Sequence, residues 1–235
     1  DGPMFNRFWL GSLVLLVLLS SGCAIPTSKH PLVDPHEAIS YPELYGAYRF
    51  EAPNEQHREP YLFHLGEAGE GYPPGFVRII FVGFKDSVLG AHNMFTFAEK
   101  VGDGYVIHLP GMKNDRTQAS EATYWKPWHE SWNPAKDGWD GQSPDDYLLC
   151  RLLIRGERLK VEMLNSQFLV TEIEAGRLTG EVTWPEEDEN AKPSSVRITA
   201  ETPELRAFFE RHAAGELFQA SENPGYYVRL KSGRD

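Results

Sequence analysis

The sequence predicts an α+β fold that is mainly β: an antiparallel sheet or partly closed barrel with about two short helices. Three observations carry this. Short runs alternate apolar and polar residues with period two, glycine-centred turns separate several of them, and two other stretches show helical spacing with end signals.

In chain order, 47–51 and 61–65 read as short strands, with Tyr61, Phe63 and Leu65 on one face. The run 76–84 is longer and richly apolar, as a central strand would be. Strands 94–101 and 105–109 flank Gly102-Asp103-Gly104, a hairpin turn whose glycines are expected to supply positive φ. A second hairpin joins 147–155 to 158–164 across Gly156-Glu157. There Leu159, Val161 and Met163 alternate with Lys160 and Glu162, giving one buried face and one wet face. Cys150 alternates with Leu152 and Ile154, so it reads as a small buried hydrophobe. Strands at 196–199 and 226–230 complete the set.

One helix is expected after Thr202 as cap, with Pro203 in its first turn, an apolar stripe of Leu205, Phe208, Phe209 and Ala213, and Gly215 as stop. The stretch 166–175, with Asn165 as a cap, Leu169 and Ile173 one turn apart and Gly176 as a stop, reads as a second helix, and its β-branched residues suit a strand nearly as well.

The first residues have a different character. From Met4, one basic residue (Arg7) precedes an apolar run from Phe8 to Leu19, and then Ser20, Ser21 and Gly22 lead to Cys23. Those 12 residues make a helix of about 18 Å, short of the ~30 Å of a hydrocarbon core. Residues 1–22 are therefore expected to be a cleaved signal peptide. Small residues directly before a cysteine resemble the bacterial lipobox, although Ser20 stands where Leu is usual. The resemblance implies diacylglycerol (and commonly palmitate) on Cys23, with that residue as the new N-terminus. It further implies a lipoprotein of the cell envelope, held in the outer membrane and facing the periplasm if the cell has two membranes, since Ala24 rather than Asp follows. Ordinary secretion is the alternative reading. Residues 23–40, with Pro26, Pro31 and Pro35, are expected to be a lipidated tether, and 41–235 a single β-rich domain.

Without residues 1–22 the chain keeps 22 bases against 33 acids, so its charge stays at −11. That balance argues against nucleic acid as a partner. The expected partners are the membrane, through the anchor, and an envelope protein, a glycan or a small apolar ligand.

Two further resemblances are present. The stretch 147–230, with "EAGRLTGEV" (174–182), "TAETPELRAFF" (199–209) and "GELF" (215–218), resembles the C-terminal half of a family of uncharacterised exported bacterial proteins. "LYGAYRF" (44–50) resembles the opening of their domains. This resemblance implies a helix at 166–175 and no activity. Gly46-Ala47-Tyr48 also resembles the Gly-x-Trp opening of lipocalin-like barrels, with Tyr48 in place of Trp.

The densest aromatic segment holds Tyr124, Trp125, Trp128, Trp132 and Trp139 between Pro, Gly and Asp residues, and these are the candidate binding residues. Large side chains that pin a long loop to a sheet would look the same. Asp137, Asp140, Asp145 and Asp146 lack the spacing of a calcium loop, and His64, His92 and His108 lack that of a zinc site. No nucleophile elbow, P-loop or dinucleotide fingerprint is present. The sequence therefore names no catalytic residue, metal or cofactor. A non-catalytic envelope domain leads, ahead of a lipocalin-like carrier of an apolar ligand and a glycan hydrolase.

Overall fold

A computed structural model describes residues 24–51, 62–70, 72–85, 88–110, 146–185, 192–220 and 225–231. The expected signal peptide and Cys23 lie outside the described residues. Among the described residues there are twelve strands: β1 (Thr27–Ser28), β2 (Gly46–Glu51), β3 (Leu62–Glu67), β4 (Phe76–Lys85), β5 (Val88–Val101), β6 (Gly104–Pro110), β7 (Tyr147–Arg155), β8 (Arg158–Leu164), β9 (Gly180–Thr183), β10 (Ser195–Ile198), β11 (Phe218–Ala220) and β12 (Tyr226–Arg229). The same residues form three α-helices: α1 (Ser166–Glu174), α2 (Thr202–Arg211) and the single turn α3 (Ala214–Leu217).

Strands β2 to β8 follow one another antiparallel, and β12 pairs with both β8 and β2. The result is a closed eight-stranded antiparallel barrel. Closure removes the exposed edges that an open sheet of this size would carry.

Register decides which side chains point inward. Phe63 lies opposite both Tyr48 and Phe81, Ile79 opposite Leu65 and Met94, and Cys150 opposite Ile107 and Met163. Tyr227 lies opposite Leu159 and Phe50, which completes the circuit. All of these except Phe50 and Phe81 belong to one apolar cluster inside the wall. The expected inward alternation holds, with Cys150, Leu152 and Ile154 pointing inward beside Leu159, Val161 and Met163. The outer face is not the wet one expected: Glu162 is buried there beside Arg151.

A second apolar cluster covers the outside of β5, β6 and β7. It holds Phe97, Val106 and Leu149 from the wall, with Leu169 of α1, Leu205 and Phe208 of α2, and Val196 and Ile198 of β10. Helix α1 forms because Asn165 Oδ1 accepts from the Phe168 amide, which settles the helix-or-strand ambiguity there. Helix α2 begins one residue earlier than expected. Thr202 does not cap it; its hydroxyl donates to the Pro31 carbonyl instead, at 2.8 Å. The helix ends at Arg211, so Ala213 falls beyond its stripe and Gly215 lies inside α3.

Much of the stretch expected to be a tether folds onto the barrel. Strand β1 pairs with β10 and meets Tyr147 of β7, Leu32 and Val33 are buried, and a 3-10 turn spans Pro35–Glu37. Its three prolines stop helix and sheet from continuing, but they do not stop apolar neighbours from docking. The dock is fixed by His108, which is fully buried on the outer face and stacks on Phe97 at 4.5 Å. The Leu32 amide donates to His108 Nε2 at 3.1 Å, so Nδ1 carries the ring proton and donates to the Phe97 carbonyl at 3.2 Å. Burial pushes the pKa of this imidazole down to about 4 against a small opposing pull from that carbonyl.

The strands give the barrel two unlike ends. At one end the turns 102–103 and 156–157 are tight, and a second 3-10 turn, Pro42–Leu44, plugs the interior with Tyr41 and Leu44. Tyr48 Oη donates to the Leu44 carbonyl at 2.8 Å and accepts from Arg229 at 2.7 Å, tying the plug to β2 and β12. Gly102 has the expected positive φ of 62°. Gly104 does not, and it serves for room: a Cβ there would sit 2.7 Å from Arg151 Nε. At the other end β6 stops at Pro110, β7 starts at Tyr147, β2 stops at Glu51 and β3 starts at Leu62. This end is the open rim.

Candidate binding site at the open end of the barrel

The interior changes character along its axis. Near the plug, Tyr48, Leu65, Ile79, Leu152 and Leu159 are essentially inaccessible. Phe63, stacked on Tyr48 at 5.0 Å and met edge-on by Tyr227 at 4.6 Å, forms a floor. Above that floor Leu109, Cys150 and Met163 stay buried, while other inward-facing residues are only partly covered. Phe81 keeps 39 % of its surface exposed, and Phe50, Met94, Leu148, Val161 and Tyr227 are intermediate. A large ring facing into a barrel keeps that much surface only where neighbouring side chains do not fill the space before it.

The described ladder along β8 explains one part of this. Strand β11 pairs with residues 162–164 of β8 and β12 with residues 158–159. Among the described residues, Lys160 and Val161 therefore have no ladder partner on that side. The eighth staff of the barrel is thus two short strands in succession, and the side chain of Val161 is left partly bare at the interruption.

The chemistry of this upper chamber is neutral. Cys150 Sγ lies 3.6 Å from Met163 Sδ, and burial pushes the thiol up to about 12, so it is a thiol and not a thiolate at neutral pH. Burial likewise raises the Tyr227 phenol to about 12, with a smaller contribution from Cys150. No described side chain in the chamber carries a charge at pH 7. Among the described side chains, Tyr227 brings a hydroxyl to a wall of aromatic, aliphatic and sulfur groups, the composition of a site for an apolar small molecule with few polar groups.

A second concavity lies outside, beside the plugged end. It measures about 350 Å³, and Leu32, Glu99, Arg206, Phe209 and His212 are among its lining residues. Its charges answer one another: Arg206 pairs with Glu99 at 3.2 Å and with Glu210 at 3.5 Å. Burial raises the pKa of Glu99 while Arg206 pulls it back.

Tyr124, Trp125, Trp128, Trp132 and Trp139 lie outside the described residues, as do Asp137, Asp140 and Asp145. Connectivity still places both attachment points of their segment, Pro110 and Asp146, at the open rim. Asp146 accepts from Arg197 Nε at 2.8 Å. His64 is exposed on β3 while His108 is buried under the N-terminal segment, so these two serve no common site. Among the described residues, no three His, Cys, Asp or Glu side chains are grouped to hold a metal, and no helix is long and apolar enough to cross a membrane.

No known protein family, curated protein or solved structure matches the chain. The chamber residues therefore rest on geometry alone. Phe50, Phe81, Tyr227 and Val161 were not nominated from sequence, because what joins them is barrel closure and not spacing. The period-two alternation within β2, β4, β8 and β12 was the available signal.

Proposed function

We propose that the chain is a non-catalytic, lipid-anchored envelope protein whose barrel takes up a small, uncharged apolar ligand through its open end. The observation that carries the binding half is the gradient inside the barrel, from a sealed aromatic floor to a partly exposed apolar upper wall. A barrel built only for rigidity has no use for a 39 % exposed phenylalanine facing inward. The anchoring half rests on the lipobox-like run ending at Cys23. Two or three acyl chains, each methylene contributing about 0.8 kcal/mol when buried, would hold the protein stably.

The binding half is tested with N-phenyl-1-naphthylamine, a neutral fluorophore, on the Cys23→Ser chain purified without detergent. Saturable binding is expected, and Val161→Trp, which fills the chamber from β8, should weaken it about tenfold, or about 1.4 kcal/mol. Far-UV circular dichroism should not change. Equal affinity in the two proteins would place the probe elsewhere and reject the chamber.

For the anchor, the chain expressed in a bacterium with its own leader should fractionate with membranes, and its intact mass should exceed that of Cys23–Asp235 by the lipid. Cys23→Ser should appear in the soluble fraction. Continued membrane association of that variant would refute the lipid.

A further inference from the structure

Five tyrosines belong to the interior apolar cluster or pack against it, and a phenol in such surroundings ordinarily finds a hydrogen-bond partner. Four have one. Tyr48 Oη donates to the Leu44 carbonyl at 2.8 Å and Tyr105 Oη to Glu43 Oε1 at 2.6 Å. Tyr41 Oη accepts from the Lys100 amide at 3.3 Å, and Tyr45 Oη shares a 2.6 Å bond with Ser40 Oγ. All four serve the plug. The fifth, Tyr227, has no hydrogen-bond partner among the described residues.

We infer that the barrel's ligand is an uncharged apolar molecule carrying one acceptor oxygen, to which Tyr227 Oη donates; this rests on the binding reading above. The ring is not free to seek a partner elsewhere. Phe63 meets it at 4.6 Å and Phe50 at 5.1 Å, and its backbone is held between Phe50 and Leu159. Nor is the oxygen sealed in. The described side-chain nitrogens and oxygens that are both sealed and unpaired are His30 Nε2 and Arg151 Nε, so the Tyr227 oxygen keeps an open side. Its hydroxyl interacts with Cys150, which lies opposite Met163 on the rim side of Leu159. It is therefore presented to the chamber above the floor.

The phenol, raised to about 12 by burial, keeps its proton at neutral pH and so acts as a donor. A ketone, ester or amide oxygen answers it. A carboxylate does not suit the chamber: no described side chain there is cationic, and an unpaired charge taken out of water costs more than one hydrogen bond returns. A plain hydrocarbon displaces water from the hydroxyl and leaves its proton unmatched, a penalty that an acceptor oxygen removes.

The test uses the same detergent-free Cys23→Ser protein and two fluorophores: prodan, a naphthalene with one ketone oxygen, and diphenylhexatriene, a hydrocarbon. Tyr227→Phe removes the hydroxyl and keeps the ring against Phe50 and Phe63. It should weaken prodan about fivefold and shift its bound emission to the blue, while diphenylhexatriene changes by less than about twofold. The polyene carboxylate cis-parinarate should bind the unsubstituted site about tenfold more weakly than its own methyl ester. Unchanged prodan affinity and emission in Tyr227→Phe, or equal losses for both fluorophores, overturns the hydrogen bond. Tighter binding of the carboxylate than of the ester overturns the uncharged class. These results reject the inference alone, provided that Val161→Trp weakens N-phenyl-1-naphthylamine as above. If that variant does not, the chamber itself is rejected and the inference falls with it.

Discussion

Lowering the pH from 7 to 4 is expected to cost the folded chain about 3 kcal/mol through His108 alone. Its imidazole titrates near 6.5 when the chain is unfolded and at about 4 in the fold. Each pH unit between those values is worth about 1.4 kcal/mol. Because the folded pKa is the lower one, the unfolded chain binds the extra proton in this window. The contribution is therefore complete above pH 6.5, shrinks as pH falls, and is gone near pH 4. The structural reason is local: a protonated Nε2 would point an N–H at the Leu32 amide, which now donates to it. Urea titrations from pH 4 to 7.5 on the wild type and on His108→Phe check this. The variant keeps a ring against Phe97 but leaves the Leu32 amide without the acceptor it now has, a loss of about 1–3 kcal/mol at pH 7. Its stability should fall less steeply with acidification, by up to one proton, so the two curves converge toward pH 4. Parallel curves over that range would show that His108 is not the group responsible.

The N-terminal dock that His108 secures also marks the limit of what the sequence made legible. Local alternation marked β4, β6, β7 and β8 and the part of β5 from Met94 to Val101, since that signal acts between near neighbours, whereas the Asn165 cap and Gly176 stop left helix and strand both open at α1. Residues 24–40 carry three prolines and no periodicity, so nothing local distinguishes a free tether from a segment whose Leu32 and Val33 enter a distant apolar surface. Thr202 shows the same limit at one residue. It has every local mark of a cap, yet a carbonyl 171 positions away takes its hydroxyl. The barrel was named as one option because alternating strands suit sheets and barrels alike. The choice between them is made by β12 pairing with both β2 and β8, across gaps the chain does not announce. The candidate binding residues split accordingly. Composition singled out the tryptophans of 124–139, whereas the chamber of Phe50, Phe81, Val161 and Tyr227 exists only once the circuit has closed.

Replacing Arg151 alone by Leu is expected to destabilise the barrel by about 3 kcal/mol, whereas replacing Arg151 and Glu162 together by Leu should leave it within about 1 kcal/mol of wild type. The two face each other across β7 and β8 on the outer wall, Nη1 to Oε2 at 3.1 Å, and both are almost entirely buried. Removing the guanidinium leaves the Glu162 carboxylate out of water with only the partly exposed Lys160, at 2.9 Å, to oppose it. Glu162→Leu alone should cost less, because Arg151 keeps Asp103 of the β5–β6 turn. Geometry explains why the double replacement is tolerable. Arg151 Nε has no hydrogen-bond partner, so the ion pair already carries an unmet desolvation cost that an aliphatic side chain would not. The surroundings also suit one: the ring of Phe218 lies 5.7 Å from the guanidinium carbon, and Gly104 leaves space against the stem. A double-mutant cycle by urea unfolding should return a coupling of about 2–3 kcal/mol between the two positions. A double variant as unstable as Arg151→Leu would mean that the pair contributes net stability of its own, and not only the penalty of being broken.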